Sequence, residues 1–123
     1  VRIITPHIPD KRYVFEGTRA HYPPLLEAGV QIYEYTPGFI HAKNFVVDDR
    51  FATVGTVNLD YRSLFLHFED GVWLCEAPCI REIRKDFEAT LKRSEPCSLR
   101  QFKHLNILLQ LYRSILRVFA PLM

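Results

Sequence analysis

Short apolar runs with strand-like alternation fill the first half of the chain, and helical spacing takes over in the second. Val1-Arg2-Ile3-Ile4 reads as a short buried strand, broken by the loop Thr5-Pro6-His7-Ile8-Pro9-Asp10, with Lys11 and Arg12 beside it. From Thr18 to Ala28 the composition suits a helix with Leu25, Leu26 and Ala28 on its apolar side. Gly29 supplies the stop, and the pair Pro23-Pro24 marks a kink or a restart. Val30-Gln31-Ile32-Tyr33-Glu34-Tyr35 then alternates as a half-buried strand. Strand, helix and strand in that order point to the α/β class.

Thr36-Pro37-Gly38 turns the chain, and Phe39-Ile40 leads into a strand that carries His41 to Val47, with Phe39 lining a pocket or the core. Asp49-Arg50 reads as a turn and Phe51-Ala52-Thr53-Val54 as its hairpin partner, delivering Gly55 to the same end of the sheet. A further strand is expected over Glu69 to Cys75. Ala77-Pro78 opens a helix to about Arg93 with Ile80, Ile83, Phe87 and Leu91 on its core face. Ser94-Glu95-Pro96 reads as a break, and Leu99 to Phe119 as one or two further helices.

That tail changes the picture. Asn106, Gln110, Arg113 and Arg117 form one polar stripe, while Leu105, Leu108, Leu109, Leu111, Tyr112, Ile115, Leu116, Val118 and Phe119 cover a broad apolar face. Lys92, Arg93, Arg100, Lys103, Arg113 and Arg117 stand against Glu95 alone. A basic amphipathic segment over 99–119 suits an anionic membrane surface, and equally a helix packed on another part of a longer protein.

At 123 residues the chain suits one domain, 1–123. Its net charge of +2 is too small to argue for nucleic acid, which is not expected as a partner. Cys75, Cys79 and Cys97 are an odd number without a dense framework, which favours a reducing compartment; their spacing offers no zinc site. No signal peptide is visible, and no apolar run reaches the roughly 20 residues that span a bilayer, so membrane contact is expected to be peripheral. The chain starts at Val1, inside a strand-like run, and is expected to be a piece of a longer protein. No internal repeat is present.

The candidate chemistry lies in His41-Ala42-Lys43-Asn44-Phe45-Val46-Val47-Asp48 and Gly55-Thr56-Val57-Asn58-Leu59-Asp60. In an extended segment His41 and Lys43 share a face, setting a nucleophile or proton donor beside a cation, while Asp48 points away and braces a turn or backbone. Thr56 and Asn58 share another face, where a hydroxyl and a carboxamide donate to phosphate oxygens; Gly55 lets backbone approach closely. His7 is a further candidate contact on its loop.

His41, Lys43 and Asp48 fit HxKxxxxD, and Gly55, Thr56 and Asn58 fit G(S/T)xN six residues later: the paired motif resembles the phospholipase D superfamily. The run Asn58-Leu59-Asp60-Tyr61-Arg62-Ser63-Leu64-Phe65-Leu66-His67-Phe68-Glu69 resembles bacterial cardiolipin synthases more narrowly, close to their second such motif. The resemblance implies a phospholipase D-like half-domain with a mixed β-sheet flanked by helices. It implies phosphodiester exchange on phosphatidylglycerol without metal or cofactor, by two histidines, one attacking phosphorus and one moving protons. Lys43, Thr56 and Asn58 would hold phosphate oxygens. Glu69 matches the family's downstream acidic residue and is expected to hold the other ring nitrogen of His41, unless it is merely a solvated strand-end carboxylate.

His7, His21, His67 and His104 lack an xK partner, so the second histidine must come from another half, in the same longer chain or a second copy. His41 is expected to act as general acid and base. The reading is a phosphatidyltransferase on the inner membrane of a bacterium, inactive as an isolated monomeric piece. Two alternatives stand beside it: a homodimeric single-motif phosphodiesterase or nuclease, and an inactive membrane-binding fragment.

Overall fold

A computed structural model describes residues 1–103 and 105–122. Strand β1 (Arg2–Pro6) is followed by helices α1 (Arg12–Ala20) and α2 (Tyr22–Glu27) and by β2 (Gln31–Tyr35). β1 and β2 pair in parallel from Arg2 opposite Gln31 to Pro6 opposite Tyr35, the crossover geometry that a strand, helix, strand order demands. The helical segment is longer than expected and divides at His21, with Pro23 in the first turn of α2, where a proline lacks no helical partner. Gly29, at φ 84°, closes α2, and the Val30 amide behind it donates to the Leu25 carbonyl at 3.0 Å.

A second sheet is an antiparallel meander of β3 (Asn44–Val47), β4 (Phe51–Gly55) and β5 (Gly71–Cys75). The strands at its centre pair Asn44 with Val54 and Gly55 with Gly71. The β3–β4 turn places Asp48 and Asp49 in left-handed conformations, φ 50° and 55°, and closes with the Arg50 amide donating to the Val47 carbonyl at 3.1 Å. Its central positions are therefore Asp48 and Asp49, one residue earlier than the expected Asp49-Arg50.

Helix α3 (Ile80–Leu91) buries Ile80 fully and half-buries Ile83, Phe87 and Leu91, the predicted face. Arg2 from β1 makes a two-pronged contact with Glu88 of α3 at 3.0 and 2.6 Å, and Arg84 pairs with Asp49 at the hairpin tip, so α3 ties both sheets together. Ser94–Pro96, expected as a break, is a three-residue edge strand, β6, antiparallel to β2. The first sheet, β1-β2-β6, is thus the mixed one. Proline fits there because an edge strand has one side with no ladder to serve.

Helices α4 (Leu99–Lys103) and α5 (Ile107–Phe119) form the tail. Asn106 caps α5 by accepting from the Leu108 amide at 3.0 Å. The predicted polar stripe and apolar face both exist, and the apolar one is turned outward, free for a partner as expected. Arg113 is 6% exposed and pairs with Glu16 of α1 at 2.7 Å, while Ile107, Leu108, Leu111, Ile115, Val118 and Phe119 point away from the fold. At 100° per residue these six residues span an arc of about 120°, and one buried ion pair anchors the opposite side.

Candidate active site

His41, Ala42 and Lys43 lie just before β3 in irregular backbone, so regular alternation does not orient them. The His41 ring is exposed and stacks on Phe39, with centroids 5.8 Å apart and planes at 24°. Phe39 is thus the support of the histidine, half exposed, rather than a core residue. The Lys43 ammonium folds back and donates to the His41 carbonyl at 2.8 Å, which locks the two residues into one unit. Partial burial pulls the Lys43 pKa down, while the fields of Glu69 and Asp60 oppose that shift.

Thr56 stands at the start of the loop after β4. Its amide donates to the Asp70 carbonyl at 2.9 Å, its hydroxyl accepts from the Asp70 amide at 3.0 Å, and the same hydroxyl donates to a Glu69 carboxylate oxygen. The hydroxyl's one proton is therefore committed to Glu69, and Thr56 joins the two loops that border β4 and β5. Asn58 is exposed and, among the described residues, its carboxamide makes no hydrogen bond, so its two donors are free.

Glu69 was expected on His41, and the structure places it elsewhere: its carboxylate takes the Thr56 hydroxyl, and no hydrogen bond joins it to His41 among the described residues. The hydrogen bonds from Thr56 and then Ser63 hold its carboxyl below the usual range, with His67 and Lys43 adding to the effect. Ser63 is buried in a single π-helical turn, Arg62–Leu66, whose start Asp60 caps by accepting the Ser63 amide at 2.7 Å. Arg62 donates to Nε2 of His67 at 2.6 Å, which fixes the His67 proton on Nδ1 and occupies the guanidinium locally.

Asp48 sits exposed at the hairpin tip, and it is the adjacent Asp49 that reaches Arg84. Its left-handed φ shows what the position demands: aspartate tolerates that conformation far better than branched residues do. Gly55 lies opposite Gly71, where a Cβ would strike the Asp70 carbonyl oxygen and come within 2.6 Å of the Gly71 Cα. The close approach read from Gly55 is thus to the neighbouring strand. Ser63 and Gly71 escaped the sequence reading, as did the capping part played by Asp60: Gly71 needs the β4–β5 register, while Asp60-x-x-Ser63 carried a capping signal that was passed over.

The arrangement is an ammonium, a free carboxamide and an exposed imidazole, backed by two carboxylates that balance the charge. Such a set suits an anionic phosphoester. Residues 1–91 match the family described as "Cardiolipin synthase, PLD-like domain". The chain belongs to this family. Over 123 residues it is 45% identical to an uncharacterized protein of Streptococcus mutans, of which it covers 27%. It is 39% identical over the same span to cardiolipin synthases of a Geobacillus species and of Halalkalibacterium halodurans, covering 24% of each. The chain spans about a quarter of the length of the curated relatives it matches. The α/β fold with helices flanking its sheets is the one expected of the family.

Proposed function

We propose that the chain supplies one half of a phosphatidyltransferase site that condenses two phosphatidylglycerols into cardiolipin and glycerol. A histidine of the other half attacks phosphorus to give a phosphohistidine, and His41 protonates the departing glycerol oxygen as the P–O bond breaks. His41 then takes the proton of the incoming hydroxyl, which attacks phosphorus and breaks the P–N bond. Lys43 and Asn58 hold the phosphoryl oxygens. Thr56 and Glu69 act one layer behind, Thr56 fixing Glu69 and Glu69 holding the Lys43 charge in place. Asp48 serves by setting the hairpin turn.

The observation that carries this reading is the pairing of the two motif segments: Asn44, next to Lys43, pairs with Val54, next to Gly55, and Lys43 lies in the field of Glu69, which the Thr56 hydroxyl grips. In the native full-length protein, cardiolipin and glycerol should form from phosphatidylglycerol vesicles, and His41→Ala should abolish both. Full activity in that variant would overturn the reading.

The outward face of α5 fits the same reaction. No helix of the described residues is long and apolar enough to cross a membrane. α5 presents an exposed apolar face and contains no acidic residue, so that face lies on the lipid surface from which substrate is drawn, while Arg113 on its opposite side pairs with Glu16. The setting is peripheral contact with the inner membrane of a bacterium, on the cytoplasmic, reducing side.

A further inference from the structure

Among the described residues, the histidine whose ring is held by a buried carboxylate is His7, not His41. Its Nδ1 lies 2.8 Å from Oε2 of Glu34, a β2 residue only 5% exposed. Arg19 of α1 grips both oxygens of the same carboxylate, at 2.8 and 2.6 Å, and its guanidinium lies over the Phe15 ring at 4.3 Å. Burial alone would raise the Glu34 carboxyl, but its bonds to Arg19 and His7 hold it below its ordinary value, so it is a carboxylate and only accepts. Nδ1 must then carry the proton. In neutral His7 the Nε2 lone pair is left unused, on a side chain that is 47% exposed.

Where that lone pair sits matters. The His7 amide donates to the Tyr35 carbonyl at 3.2 Å, so the loop is fixed at the carboxyl ends of the parallel strands β1 and β2. That is the edge at which α/β sheets take ligands, and Thr36 to Ile40 leave it to deliver His41. The chain neighbours of His7, Pro6 and Ile8, line a shallow and largely apolar cleft together with Pro9, Val14 and Phe15. Nothing in the phosphodiester chemistry proposed above uses the Glu34–Arg19–His7 array, although it places an ion pair under the sheet edge at some cost in desolvation.

We propose that His7 is a specificity-determining contact for the alcohol in this reaction: its Nε2 accepts a hydrogen bond from a hydroxyl of the polyol headgroup, with Glu34 and Arg19 fixing the ring. The inference rests on the phosphatidyl-transfer reading of the His41 site. A polyol fits because a fixed lone pair selects an O–H donor, whereas a phosphate oxygen has no proton to give.

The test uses the native full-length protein and isosteres that separate the two ring nitrogens. In His7→Asn the carboxamide NH2 takes the place of Nδ1 and keeps the bond to Glu34, but nothing replaces Nε2; in His7→Gln the terminal oxygen reaches the Nε2 position. Exchange of labelled glycerol into phosphatidylglycerol should show KM for glycerol raised about fivefold in His7→Asn, the worth of one neutral hydrogen bond, with His7→Gln close to wild type. Hydrolysis to phosphatidic acid should stay within about twofold in both. His7→Asn equal to wild type would reduce His7 to a clamp on Glu34, and His7→Gln no better than His7→Asn would likewise overturn the proposal. An arm independent of turnover keeps the two readings apart: in His41→Ala protein, the 15N signal of His7 Nε2 should still shift on adding glycerol. A missing shift sinks the His7 contact, whereas exchange persisting in His41→Ala sinks the transfer reading instead.

Discussion

The two sheets divide the labour unequally. Around β1-β2-β6 the side chains satisfy one another: Ile32 and Tyr22 are buried, Thr5 and Tyr22 share a hydrogen bond of 2.7 Å, and Glu34 is held by Arg19. Around β3-β4-β5 only Ala52 is fully buried, and Val54, Val72 and Trp73 are exposed on strands that flank the motif. The first region is built to be stable and the second to present groups, with the exposed His41 ring stacked on Phe39 and the Asn58 carboxamide without a hydrogen bond among the described residues. Substitutions should therefore separate into those that change activity at constant stability and those that do the reverse.

The sharpest separation is expected at Lys43. Lys43→Met removes a phosphate cation without opening a cavity, so turnover should fall by about a thousandfold while the melting temperature stays put. Unaltered turnover would break the comparison at its strongest point.

In the other region, Glu34→Gln should cost about 3 kcal/mol, since it leaves the Arg19 charge beneath the sheet without its partner. Because the Glu34 pKa is depressed below 4.5, its contribution is present above that pH and is lost as pH falls through the lower folded-state value. Denaturant titrations from pH 7 downward should show a steep acid limb in the wild type and a flatter one in Glu34→Gln.

Gly55→Ala is the case where the two regions should not separate. The added methyl meets the Asp70 carbonyl and Gly71, so β5 must shift, and Glu69 with it. Stability should drop by about 1–3 kcal/mol and turnover together with it, as paired unfolding and rate measurements would show.

The smallest effect on stability belongs to α5. Leu111→Glu alters a residue that is 59% exposed, so unfolding should change by less than about 0.5 kcal/mol. Flotation on phosphatidylglycerol vesicles should weaken several-fold. Undiminished flotation would remove the membrane from the account of that face.

Much of this was legible from the chain. The apolar runs located β1, β2, β4 and β5 within a residue or two, because each is flanked by a proline, glycine or aspartate turn. β3, in contrast, begins at Asn44, three residues later than the expected His41, since the motif's first residues lie in irregular backbone. The start of α1 was not, since Lys11 at its N-cap offers no side-chain bond and its first turn has no acidic residue. β6 was missed because three residues containing Pro96 carry no period. The paired motif named His41, Lys43, Thr56 and Asn58, but which side chain grips Glu69 depends on how the loops after β4 and before β5 meet. The tail's two faces could be read from its sequence, whereas which one turns inward is decided by Arg113 meeting Glu16, 97 residues away in the chain.

The central claim is that this half contributes the proton-transferring histidine and the other half the nucleophile. Brief reaction of the native full-length protein with radiolabelled phosphatidylglycerol, followed by rapid quench and peptide mapping, tests it directly. The phosphatidyl label should sit on a histidine outside residues 1–123; label on His41 would contradict the account.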